Sequence, residues 1–359
     1  MTDAKRELDK IREALERADA QLVEALEARA KAVKGYAALK QREPDAYLAL
    51  TSSAEIVRRA LENARSFPPA ALESVMREIL GACAAMVAPV QVAVLGPEGG
   101  LGSAAARLHF GSSAATTVHD SVAAIFDEIA RGRSSYGVVP FETSTDGAVG
   151  ETLDALVQSE ARICGERTVA NTYALVSRTG NAADVEKIYA TSTALAACER
   201  TVRREFPRAA LLDVRSGRVA ADLAGEDHGA AAIVVGAALS DGSELRVVRE
   251  RLEERLGVET RFAIVGGERP ARTGTDRTIL ALAVHDAPGS LHKVLSPLAD
   301  RGVNLTRIES RPARGAAWRY HFLLELEGHI TDRNVVTAIE EVRGQARFLK
   351  VLGSYPQPS

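Results

Sequence analysis

Residues 90–103, VQVAVLGPEGGLGS, mark the point at which the pattern of this chain changes. A short apolar run enters a glycine-rich turn, and the alanine-rich sequence that follows has helical spacing. Short apolar runs then alternate with helix-like stretches as far as Val265, which is typical of an α/β domain. We therefore predict an α/β domain over about 90–268, with strands near 90–96, 136–141, 172–176, 231–235 and 261–265.

Before this turn, residues 3 to about 88 contain no strand pattern and are rich in Ala, Glu, Lys and Arg. Apolar residues recur at helical spacing from Leu8 to Val33. A domain over 1–88 with three helices is predicted, and proline residues separate the helices near 3–43, 45–67 and 68–87. At 1.5 Å per residue the first helix would be ~60 Å long, too long for a compact three-helix unit. We therefore expect it to pack against a second copy of the chain.

After the glycine-rich turn and its α/β domain, a polar linker at 266–276, GGERPARTGTD, leads into a third pattern. The order becomes strand, helix, strand, strand, helix, strand, which is the βαββαβ layout of a ferredoxin-like domain over 276–352. The tail at 353–359, GSYPQPS, is expected to be loose.

Composition excludes several classes of protein. Among 359 residues, 45 are basic and 48 acidic, and a net charge of −3 offers no basic surplus for nucleic acid or acidic membranes. No apolar run approaches the ~20 residues of a membrane span, and the charged start does not resemble a signal peptide. The three cysteines are too far apart for a disulfide framework or zinc cluster. These patterns predict a soluble, cytoplasmic protein without a metal site.

Three cations in the helical segment are candidate ligands for a small dianion. Arg29 and Lys40 are three helical turns apart and share a helix face, whereas Arg12 lies ~25 Å from Arg29 along the axis. An antiparallel partner helix would bring Arg12 of a second copy opposite Arg29, and guanidinium groups bind carboxylates in bidentate fashion. The alternative interpretation is a solvated, charged face.

Three turns of the α/β segment carry further candidates. The turn at 96–103 is either an anion site built from backbone N–H groups or a tight strand-to-helix connection. Hydroxyl and carboxylate groups crowd the turn at 140–147, PFETSTDG. Thr260 and Arg261 begin an apolar strand, and we expect both to face one crevice. The histidines show no ligand spacing and are interpreted as surface or capping residues: His109, His119 and His228.

The last segment contains HDAPGSLHKVL at 285–295 and RGVNLTRIESRPARG at 301–315. Gly289 opens a predicted helix, whose first N–H groups are suited to an amino-acid carboxylate.

Together these motifs resemble the bifunctional chorismate mutase–prephenate dehydratase family with a C-terminal ACT domain, over nearly the whole chain. The resemblance implies a two-lobed, periplasmic-binding-protein-like α/β domain, a prephenate dehydratase active in phenylalanine biosynthesis, no cofactor, and a homodimer or higher homo-oligomer. The implied catalytic residues are Thr260, Glu142, Thr143, Arg261 and Phe262, with Thr260 as the acid. The implied chorismate-binding residues are Arg12, Arg29 and Lys40, and the implied phenylalanine site comprises Gly289, Ser290, Leu291, Asn304, Leu305, Glu309, Ser310, Arg311 and Pro312.

The sequence departs from the family at several of these positions. Polar residues of the mutase site are replaced at Ala49, Ser52, Ser53 and Val87, and those of the dehydratase cleft at Gly100, Leu101, Gly102, Thr143, Ala190 and Ala197. We therefore expect a dehydratase regulated by phenylalanine, with a weak or degenerate mutase domain. Two alternatives stay open. One is an inactive relative that senses phenylalanine, and the other is an enzyme for a different cyclohexadienyl acid, as Arg218 in an otherwise small polar turn suggests.

Overall fold

The computed structural model of the protein describes residues 3–43, 53–236, 244–312 and 320–357. Two compact units are present: Met1–Val90 with Phe110–Ala114, and Gln91–His109 with Ala115–Ser359. Ala49 and Ser52, whose types departed from the family, lie outside the described residues.

The first unit is helical, as predicted. Its helices are α1 (Asp3–Arg42), α2 (Ser53–Asn63) and α3 (Pro69–Val87), and both α1 and α2 pack on α3. Pro69 is the first residue of α3, where its missing N–H costs nothing. The second helix ends at Asn63, four residues before the predicted end. Asn63 donates a side-chain hydrogen bond to the carbonyl oxygen of Arg59, and the following Pro68 disfavours helical backbone just before it.

The second unit begins with one lobe of the α/β domain, which the chain leaves and re-enters. Its elements are β1 (Gln91–Leu95), α4 (Leu101–Phe110), β2 (Ala115–His119), α5 (Val122–Ala130), β3 (Tyr136–Thr143), β4 (Gly147–Ala148), α6 (Gly150–Gln158) and β5 (Arg162–Ala170). The chain returns to this lobe later as β11 (Glu259–Gly266), which lies antiparallel between β3 and β5.

The intervening sequence forms the other lobe, around a separate sheet of strand order β10-β6-β9-β7-β8. Its elements are β6 (Tyr173–Ser177), β7 (Lys187–Ala190), α7 (Ser192–Glu205), β8 (Ala210–Asp213), α8 (Gly217–Glu226), β9 (Ala230–Val235) and β10 (Arg246–Arg249), with a 3-10 turn at Ala182–Asp184. The predicted two-lobed α/β domain is confirmed.

The βαββαβ prediction is also confirmed. The elements are β12 (Asp276–Ala283), α9 (Ser290–Asp300), β13 (Leu305–Pro312), β14 (Tyr320–Glu327), α10 (Arg333–Gln345) and β15 (Phe348–Pro356). The sheet order is β13-β14-β12-β15, and β15 continues the sheet into β5 of the first lobe. One face of this small sheet carries its own core beneath α9 and α10, whereas Ile279, Leu323 and Tyr355 on the other face belong to the core of the first lobe.

The prediction of a loose tail is wrong for the part that the structure describes. Residues 353–356 extend β15, and Gly353 pairs with Ile163 of β5. Tyr355 is 1% exposed, and its hydroxyl donates a hydrogen bond to Glu166 Oε2 at 2.8 Å. The Gly and Pro residues of the tail indicated a loop, but β12 pairs with all of 353–356 and β5 pairs with Gly353, and packing outweighs local propensity.

Candidate functional site

A cavity of about 320 Å³ lies in the second unit, between the two lobes. Backbone and small side chains dominate its wall, and none of the lining residues that the structure describes is charged. The lining residues are Leu95, Gly96, Pro97, Gly99, Gly100, Leu101, Gly102, Pro140, Thr143, Val149, Tyr173, Thr191, Thr193, Ala194, Gly217, Ile233, Val234, Val235, Thr260 and Phe262. The size and position of the cavity suit a small ligand held between lobes.

Strand β11 separates two residues that were predicted to share one crevice. Thr260 and Phe262 line the cavity, whereas Arg261 lies on the opposite face of the sheet, with its guanidinium 4.9 Å from the centre of the Phe141 ring. The prediction that Thr260 and Arg261 face the same crevice is wrong. Side chains of a strand alternate between its two faces, so neighbours in sequence cannot line one wall.

Thr260 is placed as a hydroxyl group on an apolar wall. It is 4% exposed, and its Oγ1 donates a hydrogen bond to Asn171 Oδ1 at 2.9 Å. Asn171 precedes β6, and the sequence analysis missed it. Its position just before a predicted strand was the available signal, because strand ends carry many functional side chains.

Two neighbouring residues at the end of β3 also point to opposite faces of the sheet. Thr143 is the cross-strand partner of Thr260 and lines the cavity. Its Oγ1 accepts a hydrogen bond from the backbone N–H of Asp146 at 2.9 Å, which fixes the turn. Glu142 points to the other face, where its carboxylate lies 2.7 Å from Arg261 and 2.5 Å from Arg307. The two residues predicted to contact substrate as charged groups, Glu142 and Arg261, are thus paired with each other outside the cavity.

Three helices begin at the cavity. Leu101 and Gly102 open α4, Thr191 is the N-cap of α7, and Gly217 is the first residue of α8. Helix N-termini offer N–H groups and partial positive charge to anions. The geometry therefore favours the anion-site interpretation of the 96–103 turn. Helices α7 and α8 of the other lobe contribute their N-termini to the same cavity.

The lobes approach each other most closely at two glycines. Gly99 has a φ of +73° and Gly217 lies against it, because a Cβ on Gly217 would be 3.3 Å from the carbonyl oxygen of Gly99. The N–H of Gly217 donates a hydrogen bond to the carbonyl oxygen of Glu98 at 3.0 Å. Arg218 follows and is exposed, 3.8 Å from the Glu98 carboxylate.

The wall from the second lobe includes two residues that the sequence analysis missed, Tyr173 and Thr193. Burial, together with the nearby Cys198 and Glu253, raises the pKa of Tyr173 to about 12. Its phenol therefore stays protonated at neutral pH and is a hydrogen-bond donor. Ala190 and Ala197 do not line the cavity and pack instead with the core of this lobe.

The three cations predicted to bind chorismate lie on one continuous helix, α1. Arg12 is exposed and paired with Glu16 at 2.9 Å, whereas the Nε of Arg29 is buried without a hydrogen-bond partner. Lys40 is in α1, and its side chain is outside the described residues, as is that of Ser53. Because α1 is unbroken, Arg12 and Arg29 remain ~25 Å apart within one chain. Val87, where the family has a polar residue, ends α3.

The residues predicted to bind phenylalanine lie at two opposite ends of the strands of the βαββαβ sheet, which are called its two edges below. Gly289, with a φ of +78°, caps α9 just after β12 ends, and Pro312 ends β13 at the same edge. Leu305 pairs at the level where β12 begins, ~23 Å from Pro312 at 3.3 Å per residue. Ser290 and Leu291 belong to the first edge, as do Ser310 and Arg311, and Asn304 belongs to the second.

Charged side chains of β13 face the first lobe. Arg307 Nη2 lies 2.6 Å from Glu309 Oε2, and the Arg311 guanidinium lies directly against Gly150 at the start of α6. Two of the residues predicted to bind phenylalanine, Glu309 and Arg311, therefore direct their side chains toward the lobe that contains Thr260.

Among the residues that the structure describes, no group of His, Cys, Asp and Glu side chains is arranged to hold a metal ion. Within the same ranges, no helix is long and apolar enough to cross a membrane.

Comparison with known proteins gives three family matches in order along the chain: chorismate mutase type II at 11–87, prephenate dehydratase at 92–270 and the ACT domain at 278–344. A bifunctional chorismate mutase/prephenate dehydratase of Aquifex aeolicus is 33% identical over 356 residues and covers 98% of both chains. One of Pseudomonas aeruginosa is 37% identical over 284 residues, covering 78% of this chain and 77% of its own. The crystal structure of the Arthrobacter aurescens prephenate dehydratase in complex with L-Phe is 32% identical, with a TM-score of 0.60, and the match covers 74% of this chain and 90% of its own. The resemblance found in the sequence is confirmed.

Proposed function

This chain belongs to the bifunctional chorismate mutase/prephenate dehydratase family, and on that premise we propose that it converts prephenate to phenylpyruvate, CO₂ and water under control by L-phenylalanine. The observation that carries the proposal is the buried Thr260 hydroxyl on the wall of an inter-lobe cavity into which three helix N-termini open. The cytoplasmic location expected from the sequence remains a prediction.

Prephenate is a dianion, and the described part of the cavity wall carries no charged side chain to bind it. The N–H groups at the starts of α4, α7 and α8 supply the complementary charge, since helix N-termini bind carboxylates. Because this charge comes from fixed backbone, it needs no reorganisation when the substrate enters.

The reaction needs one proton and no redox change. The bond from the ring to its carboxylate breaks, CO₂ leaves, and the electron pair enters the ring and expels the hydroxyl at the opposite carbon. Thr260 Oγ1, now hydrogen-bonded to Asn171, turns to give its proton to the departing hydroxyl, which leaves as water, and solvent restores the proton to Thr260 when the products leave. Formation of the aromatic ring supplies the driving force, and Phe262 and the apolar wall exclude solvent.

The helical unit supports a second, weaker proposal. Arg29 has a buried Nε without a hydrogen-bond partner, which is suited to a carboxylate delivered next to it. Arg12 of an antiparallel second copy would complete such a site. The replacements at Ser53 and Val87 remove polar groups that the family uses on chorismate, so we propose chorismate mutase activity well below that of the dehydratase.

We also propose that L-phenylalanine binds between two ACT domains. β13 is the edge strand among the described strands of its sheet, and edge strands pair readily with a second chain. Antiparallel pairing of two β13 strands would place Asn304 and Leu305 of one copy beside Pro312 and Gly289 of the other. This arrangement reunites the two edges that lie ~23 Å apart in one chain.

The decisive experiment is incubation of the purified protein with prephenate while phenylpyruvate is measured by its absorbance. Turnover that falls on addition of L-phenylalanine is expected. If no phenylpyruvate forms, the alternative of an inactive phenylalanine sensor gains support, because the cavity has lost several polar side chains of the family. Melting curves then decide that alternative, since a ligand at 100 times its dissociation constant stabilises by ~2.7 kcal/mol. Without any shift, neither function stands.

A further inference from the structure

A group of buried and half-buried charged side chains joins the strand that carries Thr260 to the ACT sheet. Three arginines and four glutamates take part, contributed by strands of the first lobe and of the ACT domain. We call this group the ion-pair cluster, and its members are Arg261, Arg277, Arg307, Glu142, Glu166, Glu309 and Glu325.

Arg261 lies at the centre of the ion-pair cluster. Its guanidinium is hydrogen-bonded to Glu325 of β14, with Nη1 to Oε2 at 3.1 Å and a second bond from Nη2 to Oε1. The same group lies 3.3 Å from Glu166 and 2.7 Å from Glu142. The ACT domain therefore binds Arg261, the residue directly next to Thr260, on the opposite face of the same strand.

Besides Arg261, Glu325 accepts a hydrogen bond from Arg307 Nη1 at 3.3 Å, and a third arginine lies close to its other oxygen. The Nε of Arg277 lies 3.7 Å from Glu325 Oε2, which is too long for a hydrogen bond. The Nε atoms of both Arg261 and Arg277 are buried without a hydrogen-bond partner. Unsatisfied buried donors are costly, and a small shift of Glu325 toward Arg277 would satisfy one of them while loosening its hold on Arg261. Glu325 is therefore within reach of two arginines that could each take its second oxygen, Arg261 in the present arrangement and Arg277 after a small shift.

Strand β13 carries residues of both the ion-pair cluster and the predicted phenylalanine-binding site. Arg307 lies 2.5 Å from Glu142, 2.6 Å from Glu309 and 3.3 Å from Glu325. Glu309 is one of the residues expected at the phenylalanine site. Any displacement of β13 on ligand binding thus reaches Arg307 directly, and through it both Glu142 and Glu325.

We propose that Glu325 is a positioning residue for Thr260, and that phenylalanine regulates the cavity by changing which arginine Glu325 holds. This inference rests on the proposed function and adds the route of its regulation. In the present pairing Glu325 fixes Arg261, and Arg261 fixes the start of β11. In the other pairing Glu325 moves toward Arg277, and β11 with Thr260 is released. Two arrangements biased by one ligand meet the physical requirement for coupling between sites.

Hydrogen exchange of the intact protein tests this without relying on activity. The amides of 259–266 should change their exchange rate at least about threefold when L-phenylalanine is added to the unaltered protein, and the change should vanish in Glu325→Gln. Arg307→Gln, at a more exposed position, should behave like Glu325→Gln and serves if that variant does not fold. The matched control is Glu341→Gln, which breaks an ion pair with Arg301 elsewhere in the ACT domain and should keep the full response.

Activity measurements separate this proposal from the proposed function. In Glu325→Gln the phenylalanine concentration for half-inhibition should rise at least about tenfold, while the dissociation constant of phenylalanine from melting curves stays within about threefold. Lack of prephenate turnover in the unaltered protein, with the exchange response present, would reject the dehydratase but keep the coupling. An unresponsive β11 in the unaltered protein, or an equal response in Glu325→Gln, overturns the role of Glu325.

Discussion

At the scale of single residues, Thr260 and Arg261 divide two tasks between the faces of one strand. Thr260 presents a hydroxyl to the cavity, and Arg261 anchors the strand in the ion-pair cluster. Burial alone would lower the pKa of Arg261, but the hydrogen bond and charge of Glu325 outweigh it and raise that pKa, so the guanidinium stays charged at neutral pH.

Removal of the Thr260 hydroxyl should affect catalysis far more than stability. We expect Thr260→Ala to lower the rate of phenylpyruvate formation by ~10²–10³, because a donor to the leaving group is lost. The lost hydrogen bond to Asn171 should lower the free energy of unfolding by only about 1 kcal/mol. Thr260→Ser, which keeps the hydroxyl, is the matched control. Normal turnover in Thr260→Ala would show that Thr260 is not the donor.

The ion-pair cluster should make stability depend on acid. Burial alone would raise the pKa of Glu325, but hydrogen bonds and charge from Arg261 hold it below its usual range. A carboxyl with a lowered pKa stabilises the folded state above its unfolded pKa of ~4.3, and that contribution is lost as the pH falls through the folded value. The unfolding free energies of the unaltered protein and Glu325→Gln should therefore differ at pH 7 and converge below about pH 4. A difference that stays constant down to pH 3, in denaturant titrations, would contradict this.

At the scale of elements, α6 and β15 hold the first lobe against the ACT sheet. The Lys350 ammonium of β15 donates to the carbonyl oxygens of Val157, at 2.9 Å, and Ser159 at the end of α6. A cation is favoured at a helix C-terminus, where the dipole is negative. Arg311 of β13 contacts the start of the same helix at Gly150. The residue just before α6, Val149, lines the cavity, so this helix is in contact with the ACT domain at both ends and with the cavity at one.

The close pairing of β15 with β5 requires Gly353. A Cβ at this position would lie far inside van der Waals distance of the Ile163 carbonyl oxygen, which belongs to backbone and cannot swing away. We expect Gly353→Ala to lower the free energy of unfolding by about 1–3 kcal/mol. Gly344→Ala in α10 is the control, because a Cβ there meets nothing within 4 Å and should be neutral or stabilising. Equal melting temperatures for the two variants would mean that the β15–β5 contact is not formed.

At the scale of the whole molecule, α1 presents an apolar seam that its own unit does not cover. Leu8, Leu15 and Leu22 recur every seven residues and are 65%, 61% and 55% exposed. A contiguous apolar surface of this kind marks an interface. This seam and the edge strand β13 are the basis of our prediction that two copies pair through both the helical and the ACT domains.

Charge introduced into this seam should weaken the dimer. Leu15→Glu combined with Leu22→Glu should reduce the subunit count in light scattering, or lower the melting temperature of the helical unit if ACT pairing keeps the copies together. Arg17→Glu adds a glutamate ~200° around the helix axis from Leu15 and should leave both measurements unchanged. If the doubly substituted protein has the mass and melting temperature of the unaltered one, α1 is not an interface.

The sequence by itself determined the domain order, the helical, α/β and βαββαβ classes, and the family. Periodicity and turn residues act over a few positions, so they are readable from the chain, and the motifs at 96–103, 259–266 and 285–312 were specific enough to identify relatives. Thr260, Thr143 and Phe262 were found in this way, and all three line the cavity.

Tertiary structure alone decided which residues meet across long separations. Glu142 and Arg261 were expected beside the substrate, but strand alternation and the arrival of Glu325 from β14 place them in the ion-pair cluster. The tail became a strand because the start of β12, at 276–279, pairs with 353–356, and Gly353 also meets Ile163 of β5. Local patterns carry no information about such partners, because register and domain packing depend on surfaces formed only when the chain folds.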